Sequence, residues 1–585
     1  MSTINVLEFL HTLNRAETAS AAKNWTEAAR LWEQVIAQNP LSGRHWDALA
    51  QARTGSGDHR GALDAHTRSA ELGVWTDNDA VHPAEIAYQI ALCHVRLGEH
   101  PEALTALARA KDLGLRDRSR IRDNEDLAPL RNDPAFQKIC GTVEPPPAPA
   151  DRDKNWCADL RFLLEEATRH SPIWHKCAEP FTTAIDNLAH AVSTLTDVQI
   201  VAGIQRALAL LKDGHARIDL TTGPEPGDRT LPIAFADFPE GFVVTAAAPG
   251  HEHLLGARVT AFDGRPIAEL ADAIEPLVCR DNDYFLKADV PRWLRRIPIL
   301  HAIGLVDRPD AVTLTVELFD KTTTSTSTTT TTTTDLDLDI DLDIDLDIDL
   351  KTLPSPSPRP HAWPSHPEGW TSLPEALDAP LPLSYRDFKR FYWFEHLPEH
   401  RMIYLQFNSI QDAEAPGESI AEFSERLVAA IAAHDADRLV VDLRWNGGGD
   451  TFLTERLVQR IIGCDRVNRP GHLFVITGRD TFSAAQNTAT LLGRHADTVF
   501  VGEPSGSRPN FVGETIPFRL PHSGLRVNIS DLAWQTSYPF DHRIWIPPLL
   551  PTPPTLADYR ANRDPALEAV LAWTDEMDAL AGKLR

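Results

Sequence analysis

Three short segments of the sequence carry residue types that could form a hydrolytic site. In the first, Gly447, Gly448 and Gly449 follow an apolar run that ends at Leu443. Glycine adopts positive φ easily and can bring backbone N–H groups close to a bound group, which suits an oxyanion hole or a phosphate cradle. The segment lacks the Gly-Lys-Ser/Thr ending of a phosphate-binding loop, and Asp450 would repel a phosphate. A simple tight turn is the alternative.

The second segment places a serine where a strand is predicted to turn into a helix. Ser483 is followed by Ala484 and Ala485. A serine at a helix start is commonly a cap. At such a junction the hydroxyl also lies beside open backbone N–H groups and the positive end of the helix. Ser483 could therefore act as a nucleophile, with the N–H of Ala484 holding an oxyanion.

The third segment ends a predicted helix with Asp213, Gly214 and His215. Histidine titrates near neutral pH, which suits a general base for a serine nucleophile. The chain has 23 histidines, and His215 is singled out only by its combination with the glycine and serine segments.

The elements around the first two segments predict a parallel α/β sheet. After Phe391, predicted strands alternate with predicted helices. The strands cover residues 402–407, 438–443, 472–477 and 498–502, and the helices cover residues 420–433, 452–462 and 483–492. This order favours a mostly parallel sheet with ligands at the C-terminal ends of the strands. The glycine segment and Ser483 both follow such strand ends.

The first 115 or so residues contain a repeat. Small residues recur in matching settings, first after 34 residues and then after 41, and the extra seven residues fit a longer loop around residues 76–81. The recurring positions are Ala16 and Ala28, Ala50 and Ala62, and Ala91 and Ala103. The pattern resembles the tetratricopeptide repeat, which implies an α-helical solenoid over residues 1–140 that binds a protein partner. A plain helical bundle is the alternative.

Four further segments are distinguished by composition. Residues 141–153 are proline-rich and predict an extended linker. Residues 154–217 predict three helices, and residues 218–320 predict strands. Residues 321–385 contain a Thr/Ser run and eight Asp-Leu or Asp-Ile pairs. These pairs have the period of a strand but are too uniform to specify a register, so the segment is interpreted as a disordered insertion.

Together, the segments from about Asn155 onward resemble the tail-specific (C-terminal-processing) and tricorn-type serine peptidase family. The resemblance rests on the segments around His215, Gly447 to Gly449 and Ser483, and on residues 501–504 and 563–568. It implies a helical lead ending in the catalytic histidine over residues 154–217. It also implies a PDZ-like β subdomain over residues 218–320 and a ClpP/crotonase-like α/β core over residues 386–585.

The resemblance also implies which groups take part in catalysis. The processing branch pairs its serine with a lysine 25 residues later, and Arg508 stands at that position here. Arginine stays protonated and cannot accept the serine proton. The tricorn-type branch uses a histidine and a downstream acid, which implies His215 and Asp541. Asp531 and Glu514 are the alternatives for the acid.

In the implied mechanism Ser483 attacks a peptide carbonyl, and His215 takes the serine proton and then gives it to the leaving amine. Asp541 orients the imidazole. The N–H groups of Gly448 or Gly447, and of Ala484, hold the oxyanion. This chemistry calls for no metal or cofactor. A peptidase-like scaffold that binds proteins without catalysis is the second hypothesis, and a crotonase-type acyl-CoA enzyme would need no such serine.

The composition limits the partners. The chain has 585 residues, with 57 basic and 83 acidic side chains and a net charge of −26. This balance argues against binding to nucleic acid or to anionic lipid, and peptides or proteins are the expected substrates. Removing the eight aspartates of the repeat leaves −18. No apolar run approaches the roughly 20 residues that cross a bilayer. The first 20 residues match a secretion signal poorly, and the six cysteines are scattered, so a cytoplasmic location is expected.

Overall fold

The computed structural model describes two compact units, residues 1–145 and residues 146–585. The described residues are 6–73, 83–113, 115, 118–140, 151–222, 229–319, 345–354, 364–377, 379–413, 417–574 and 576–577. The loop predicted around residues 76–81 lies outside them, as does most of the predicted linker. The linker prediction was too long at its end, because a helix already begins at Arg152.

The first unit is a succession of antiparallel helices. Its helices are α1 (Val6–Ala21), α2 (Trp25–Gln38), α3 (Gly43–Ser56), α4 (His59–Leu72), α5 (Pro83–Arg96), α6 (His100–Asp112), α7 (Arg118–Asp123) and α8 (Pro134–Cys140). Each helix from α1 to α5 packs on the next one. All six repeating alanines are fully buried. The small residues of the repeat are therefore core positions of this unit.

The second unit begins with the three predicted helices, α9 (Arg152–His170), α10 (Trp174–Ala191) and α11 (Asp197–Ala209). Their apolar sides share one core that includes Leu160, Phe181 and Ile204. Thr196 begins α11 with a capping box, in which its side chain and that of Gln199 each bond the other's backbone N–H. Two short strands follow α11, β1 (Arg217–Asp219) and β2 (Arg229–Thr230).

A seven-stranded sheet forms the next layer. Its chain segment contains β3 (Ile233–Phe238), β4 (Gly241–Ala247), β5 (Arg258–Phe262), β6 (Arg265–Pro266), α12 (Ile267–Ile274), α13 (Leu286–Trp293), α14 (Ile297–Ala302), β7 (Ala311–Glu317), β8 (Asp345–Lys351), β9 (Leu353–Pro354), β10 (Thr371–Ser372) and α15 (Leu373–Ala376). The strand order is β10-β4-β5-β7-β8, with β3 paired to β4 and β6 to β5. The short strands β2 and β9 pair separately.

Strand β8 corrects the interpretation of residues 321–385 as disordered. The last Asp-Leu and Asp-Ile pairs form an edge strand antiparallel to β7. Leu350 is buried on one face, while Asp347 on the other accepts a hydrogen bond from Thr315 Oγ1 at 2.7 Å. The repeat is too uniform to choose a register alone, but the neighbouring strand supplies one. The part of the prediction that covers residues 321–344 lies outside the described residues.

The C-terminal part forms the predicted α/β sheet. Its elements are β11 (Tyr392–Leu397), β12 (Met402–Phe407), α16 (Ile420–Ala433), β13 (Arg438–Asp442), α17 (Thr451–Ile462), β14 (Leu473–Thr477), α18 (Ala484–His495), β15 (Thr498–Gly502), β16 (Asn510–Arg519), β17 (Arg526–Gln535), β18 (Leu550–Pro551), α19 (Leu556–Arg560) and α20 (Pro565–Leu571). The order is β11-β12-β13-β14-β15-β18, and only β11 runs antiparallel to its neighbour. The prediction of a mostly parallel sheet is confirmed. The hairpin β16–β17 pairs with β1 in a separate sheet.

In the part of the chain that the structure describes, every helix is too short or too polar to span a bilayer.

Candidate active site

The three predicted segments meet at one cleft of about 600 Å³. Ser483, His215 and Gly447 line it, together with Glu514 from β16. The segments come from the C-terminal ends of β13 and β14 and from the loop after α11. Aromatic and charged side chains form most of the remaining wall, among them Phe285, Trp293, Trp445, Phe482, Arg292 and Asp480.

Ser483 lies on a sharp turn immediately before α18. Its backbone has φ 54° and ψ −126°, a conformation that costs a residue with a side chain about 1–3 kcal/mol. The turn is held by Thr481, whose Oγ1 donates to the carbonyl of Leu443 at 2.9 Å and accepts from the N–H of Gly478 at 2.9 Å. The Ser483 hydroxyl does not cap the helix and makes no hydrogen bond to His215 or any other described residue. The side chain is thus presented to the cleft.

The N–H of Ala484 is the best-placed donor for an oxyanion beside Ser483. Ala484 is the first residue of α18, and among the described residues its N–H meets no acceptor. Gly448 differs from the expectation. Its N–H donates to Oδ1 of Asn446 at 2.9 Å, and the Asn446 side chain is itself fixed by the carbonyl of Phe407 at 2.8 Å. The Gly448 N–H is therefore unavailable in this structure, whereas Gly447 lines the cleft.

Gly448 instead permits a close approach to the serine. Its φ is +110°, and a Cβ at this position would lie 2.6 Å from Cβ of Ser483 and 3.0 Å from the backbone nitrogen of Ala484. Real Cβ atoms do not come this close to another carbon. A glycine at position 448 is therefore needed for the glycine segment to pack against the turn at Ser483.

Gly448→Ala should therefore lower the free energy of unfolding by about 2–4 kcal/mol, from strain at positive φ and overpacking against the turn. Gly447→Ala is the matched control, because a Cβ at Gly447 meets no atom within 4 Å. It should change the free energy of unfolding by less than about 1 kcal/mol. Chemical denaturation of both variants measures the difference, and equal destabilisation would contradict the close approach.

His215 is positioned by its neighbours in sequence and by two aromatic rings. Its backbone N–H donates to Oδ1 of Asp213 at 2.9 Å, and Asp213 also accepts from the N–H and Oγ of Ser530 on β17, each at 2.9 Å. Burial raises the pKa of Asp213. The imidazole lies 4.5 Å from the ring of Phe482 and 5.7 Å from that of Phe511, measured between ring centroids. Phe482 directly precedes Ser483, so the packing places histidine and serine in the same region.

A second buried carboxylate, Asp281, supports the histidine loop and was not predicted. Its Oδ1 accepts from the N–H of Gly214 at 2.9 Å, and its Oδ2 accepts from Ser507 Oγ. Arg508, at the position where the processing branch has lysine, donates through Nε to the Asp281 carbonyl. Arg508 therefore stabilises the loop that carries His215. Burial raises the pKa of Asp281 to about 7.

This pKa gives a stability prediction with a definite sign. The folded protein holds the Asp281 proton up to about pH 7, whereas an unfolded aspartate loses it near its ordinary value of about 4. The folded state binds more protons between these values, so the stability contributed by this group is lost as the pH rises from about 4 to 7. Asp281→Asn replaces the carboxyl with a neutral amide whose oxygen can accept from the N–H of Gly214 and whose NH2 can donate to Ser507 Oγ, so the bond to Ser507 reverses direction. Its Tm should fall less than that of the parent over this range.

Asp541→Asn provides a control, because the stability that Asp541 contributes should depend on pH in the opposite direction. Hydrogen bonds from Arg543 and Ser537 hold the pKa of Asp541 well below its usual range. The stability from Asp541 is therefore present at neutral pH and lost only in acid. Thermal unfolding at pH 4, 5.5 and 7 separates the two carboxylates, and parallel Tm profiles of parent and Asp281→Asn would contradict the prediction.

The structure does not bring the predicted acid to the cleft. Asp541 accepts from Ser537 Oγ and from three groups of Arg543: the backbone N–H, Nε and Nη2, with the last at 2.7 Å. It is absent from the cleft wall, and so is Asp531. Glu514, the other alternative, shares the cleft with His215 and Ser483. Its φ of 58° interrupts the regular backbone of β16.

Beneath the glycine segment lies a buried ion network that sequence reasoning also missed. Arg444 Nη2 lies 2.7 Å from Oδ2 of Asp442, and its Nη1 lies 2.7 Å from Oδ1 of Asp564. Tyr404 donates to Asp442, and Ser384 donates to Asp564, at 2.7 and 2.8 Å. The network joins the end of β13 to the start of α20. The match at residues 563–568 was the signal that could have indicated it.

Two observations concern other chemistries. No group of three or more His, Cys, Asp or Glu side chains within the described residues is arranged to hold a metal ion. None of the six cysteines forms a disulfide, and five of them are buried.

Comparison with known proteins gives structural matches but no sequence match. No protein-family model and no curated protein matches the chain. The crystal structure of a CPAF mutant has a TM-score of 0.50 at 12% identity, covering 74% of this chain and 98% of that one. Mature CPAF complexed with lactacystin has a TM-score of 0.49 at 13% identity, covering 74% and 99%. The photosystem II D1 C-terminal processing protease has a TM-score of 0.34 at 12% identity, covering 73% and 99%. The likeness to the CPAF mutant indicates a shared fold.

Proposed function

We propose that the chain is a serine peptidase of the tail-specific or tricorn type that hydrolyses peptide bonds through an acyl-enzyme. Ser483 is the nucleophile and His215 the general base. Glu514 replaces Asp541 as the acid that orients the imidazole. The N–H groups of Ala484 and Gly447 stabilise the oxyanion. Residues 386–585 would form a ClpP/crotonase-like core, and the sheet that includes β3 to β8 would be the PDZ-like subdomain.

The observation that carries this proposal is the turn at Ser483. Ser483 has a strained backbone, and its side chain does not cap the buried helix that follows. Its hydroxyl therefore lies next to an open N–H and the positive end of the helix. A structural serine at this position would be expected to cap the helix. His215 lies in the same cleft, and catalytic hydrogen bonds are often long before substrate binds. The fold shared with CPAF is consistent with this function.

Trapping the nucleophile tests the proposal directly. A biotinylated fluorophosphonate should label the native protein at one serine, and peptide mass spectrometry should find the adduct on Ser483. Protein unfolded by heat before labelling is the control, because activation of the serine depends on the folded site. A native protein that remains unlabelled at Ser483 would refute the peptidase function.

A peptidase-like scaffold without activity is the second candidate. It is favoured by the missing hydrogen bond between Ser483 and His215 and by Arg508 at the lysine position. In that case the cleft would bind a peptide segment without cleaving it. The fluorophosphonate experiment separates the two candidates, since a binding cleft leaves Ser483 unreactive.

The N-terminal unit is proposed to be a tetratricopeptide-like array that binds a protein partner or substrate. The support is the full burial of the six repeating alanines and the packing of successive helices from α1 to α6 on one another. Six cysteines without a disulfide fit a reducing compartment, and the cytoplasm is the proposed location.

A further inference from the structure

A small cavity separate from the cleft is lined mainly by cationic side chains. Arg292, Arg295, Arg479 and Lys287 contribute to its wall, and Asp480 is the one carboxylate among the described lining residues. The other lining residues are Phe235, Ala236, Ala288 and Pro291. Its volume is about 10 Å³. One water-sized sphere needs about 10–15 Å³, so the cavity has room for a single small ligand.

Arg295 is the unusual member of this group. It is only 2% exposed, and its Nε and Nη1 meet no hydrogen-bond acceptor among the described residues. The ring of Trp370 lies 5.4 Å from its guanidinium carbon. Burial and the like charge of Arg296 lower the pKa of Arg295 to about 9. Among the described residues, no carboxylate opposes that shift.

The other cations of the cavity each have an anionic partner. Arg292 bonds Asp289 at 3.0 Å and Asp480 at 2.6 Å. Arg479 bonds Glu503, with its Nε 3.0 Å from Oε2. Lys287 Nζ lies 3.1 Å from Asp237 Oδ2. Within the described lining of the cavity, Arg295 alone brings a buried positive charge without an anionic partner. Such a charge is strongly unfavourable unless an anion balances it.

We propose that this cavity binds a single monoatomic anion of the chloride class against the guanidinium of Arg295. The small volume of the cavity favours a one-atom anion over phosphate, sulfate and carboxylates, which need room for several heavy atoms. Arg292 and Asp480 line both this cavity and the cleft. Asp480 lies three residues before Ser483, so the anion site would adjoin the segment that carries the serine turn.

Thermal unfolding of the full chain at constant ionic strength tests the site. Sodium chloride replaces sodium gluconate stepwise, because gluconate is too large for the cavity. The Tm should rise by about 1–3 °C for each tenfold increase in chloride above the dissociation constant, and bromide should act alike. A Tm that is the same in chloride and gluconate would overturn the proposal and indicate that the cavity holds only water.

Arg295→Met tests whether the guanidinium holds the anion. Methionine fills an irregular buried space without charge, so this variant should lose the chloride response and be at least as stable as the parent in gluconate. Arg265→Met, at an exposed arginine outside the cavity, should keep the response. A chloride response that persists in Arg295→Met would exclude the site.

Crystals of the parent grown in bromide give a second measurement that does not need the variant to fold. An anomalous peak beside Arg295 is expected, and its absence while the solution response persists would place the anion elsewhere. None of these readouts depends on peptidase activity.

Discussion

Ser483→Ala is expected to lower kcat for peptide hydrolysis by at least about 10⁴ while leaving the free energy of unfolding nearly unchanged. The hydroxyl is the proposed nucleophile, so its removal leaves only the contribution of oxyanion stabilisation and substrate binding. Stability should not suffer, because this hydroxyl makes no hydrogen bond to a described residue and does not cap α18. Steady-state kinetics and chemical denaturation of the same preparations measure the two effects.

Ser419→Ala is a matched control at another helix start. Ser419 caps α16, and its side chain accepts from the N–H of Glu422. Losing this cap should lower the free energy of unfolding by about 1 kcal/mol and leave kcat unchanged. The two serines thus have opposite expected effects. If Ser483→Ala destabilised the protein as Ser419→Ala does and kept its activity, Ser483 would be a structural residue.

His215→Ala extends the same prediction. The histidine activates only Ser483, so removing both residues should reduce kcat little further than removing one. A double variant whose loss equals the product of the two single losses would indicate that serine and histidine act independently, contrary to the proposed pair.

The parts of the fold that could be predicted from sequence are those specified by local pattern. Strand β12 and helix α16 were predicted with the observed bounds, because buried parallel strands are short apolar runs and their helices are amphipathic. Strand β8 was missed for the opposite reason. Its repeat is compatible with many registers, and only pairing with β7 selects one. A non-local contact of this kind leaves no mark within the strand's own sequence.

The candidate site shows the same division. Ser483, Ala484 and the glycine segment could be found because each follows a recognisable strand end. Asp281 was missed because it is 67 residues from Gly214, to which it bonds, and nothing in its local sequence indicates that contact. The donor role of Gly448 stays a prediction, because its N–H donates here to the side chain of Asn446, two residues earlier. Spacing indicated the loop but could not indicate which amide stays open.

Sequence spacing and structure disagree most about which carboxylate orients His215. Asp541 matches the position of the acid in the tricorn-type branch, yet Arg543, two residues later, bonds its carboxylate. That ion pair would have to break before Asp541 could reach an imidazole. Glu514 already shares the cleft with His215 and has the strained backbone that often marks functional residues.

Glu514→Gln is therefore expected to lower kcat by about 10²–10⁴, since a neutral amide cannot stabilise the imidazolium that forms during acylation. Asp541→Asn should change kcat by less than about threefold, because the residue acts only within its own surface turn. Comparing kcat of the two variants at one pH, with Tm as a check on folding, decides between them. A large loss in Asp541→Asn and none in Glu514→Gln would restore Asp541 as the acid. Equal and small losses would mean that Ser483 and His215 work as a dyad, with Asp213 and the rings of Phe482 and Phe511 alone orienting the histidine.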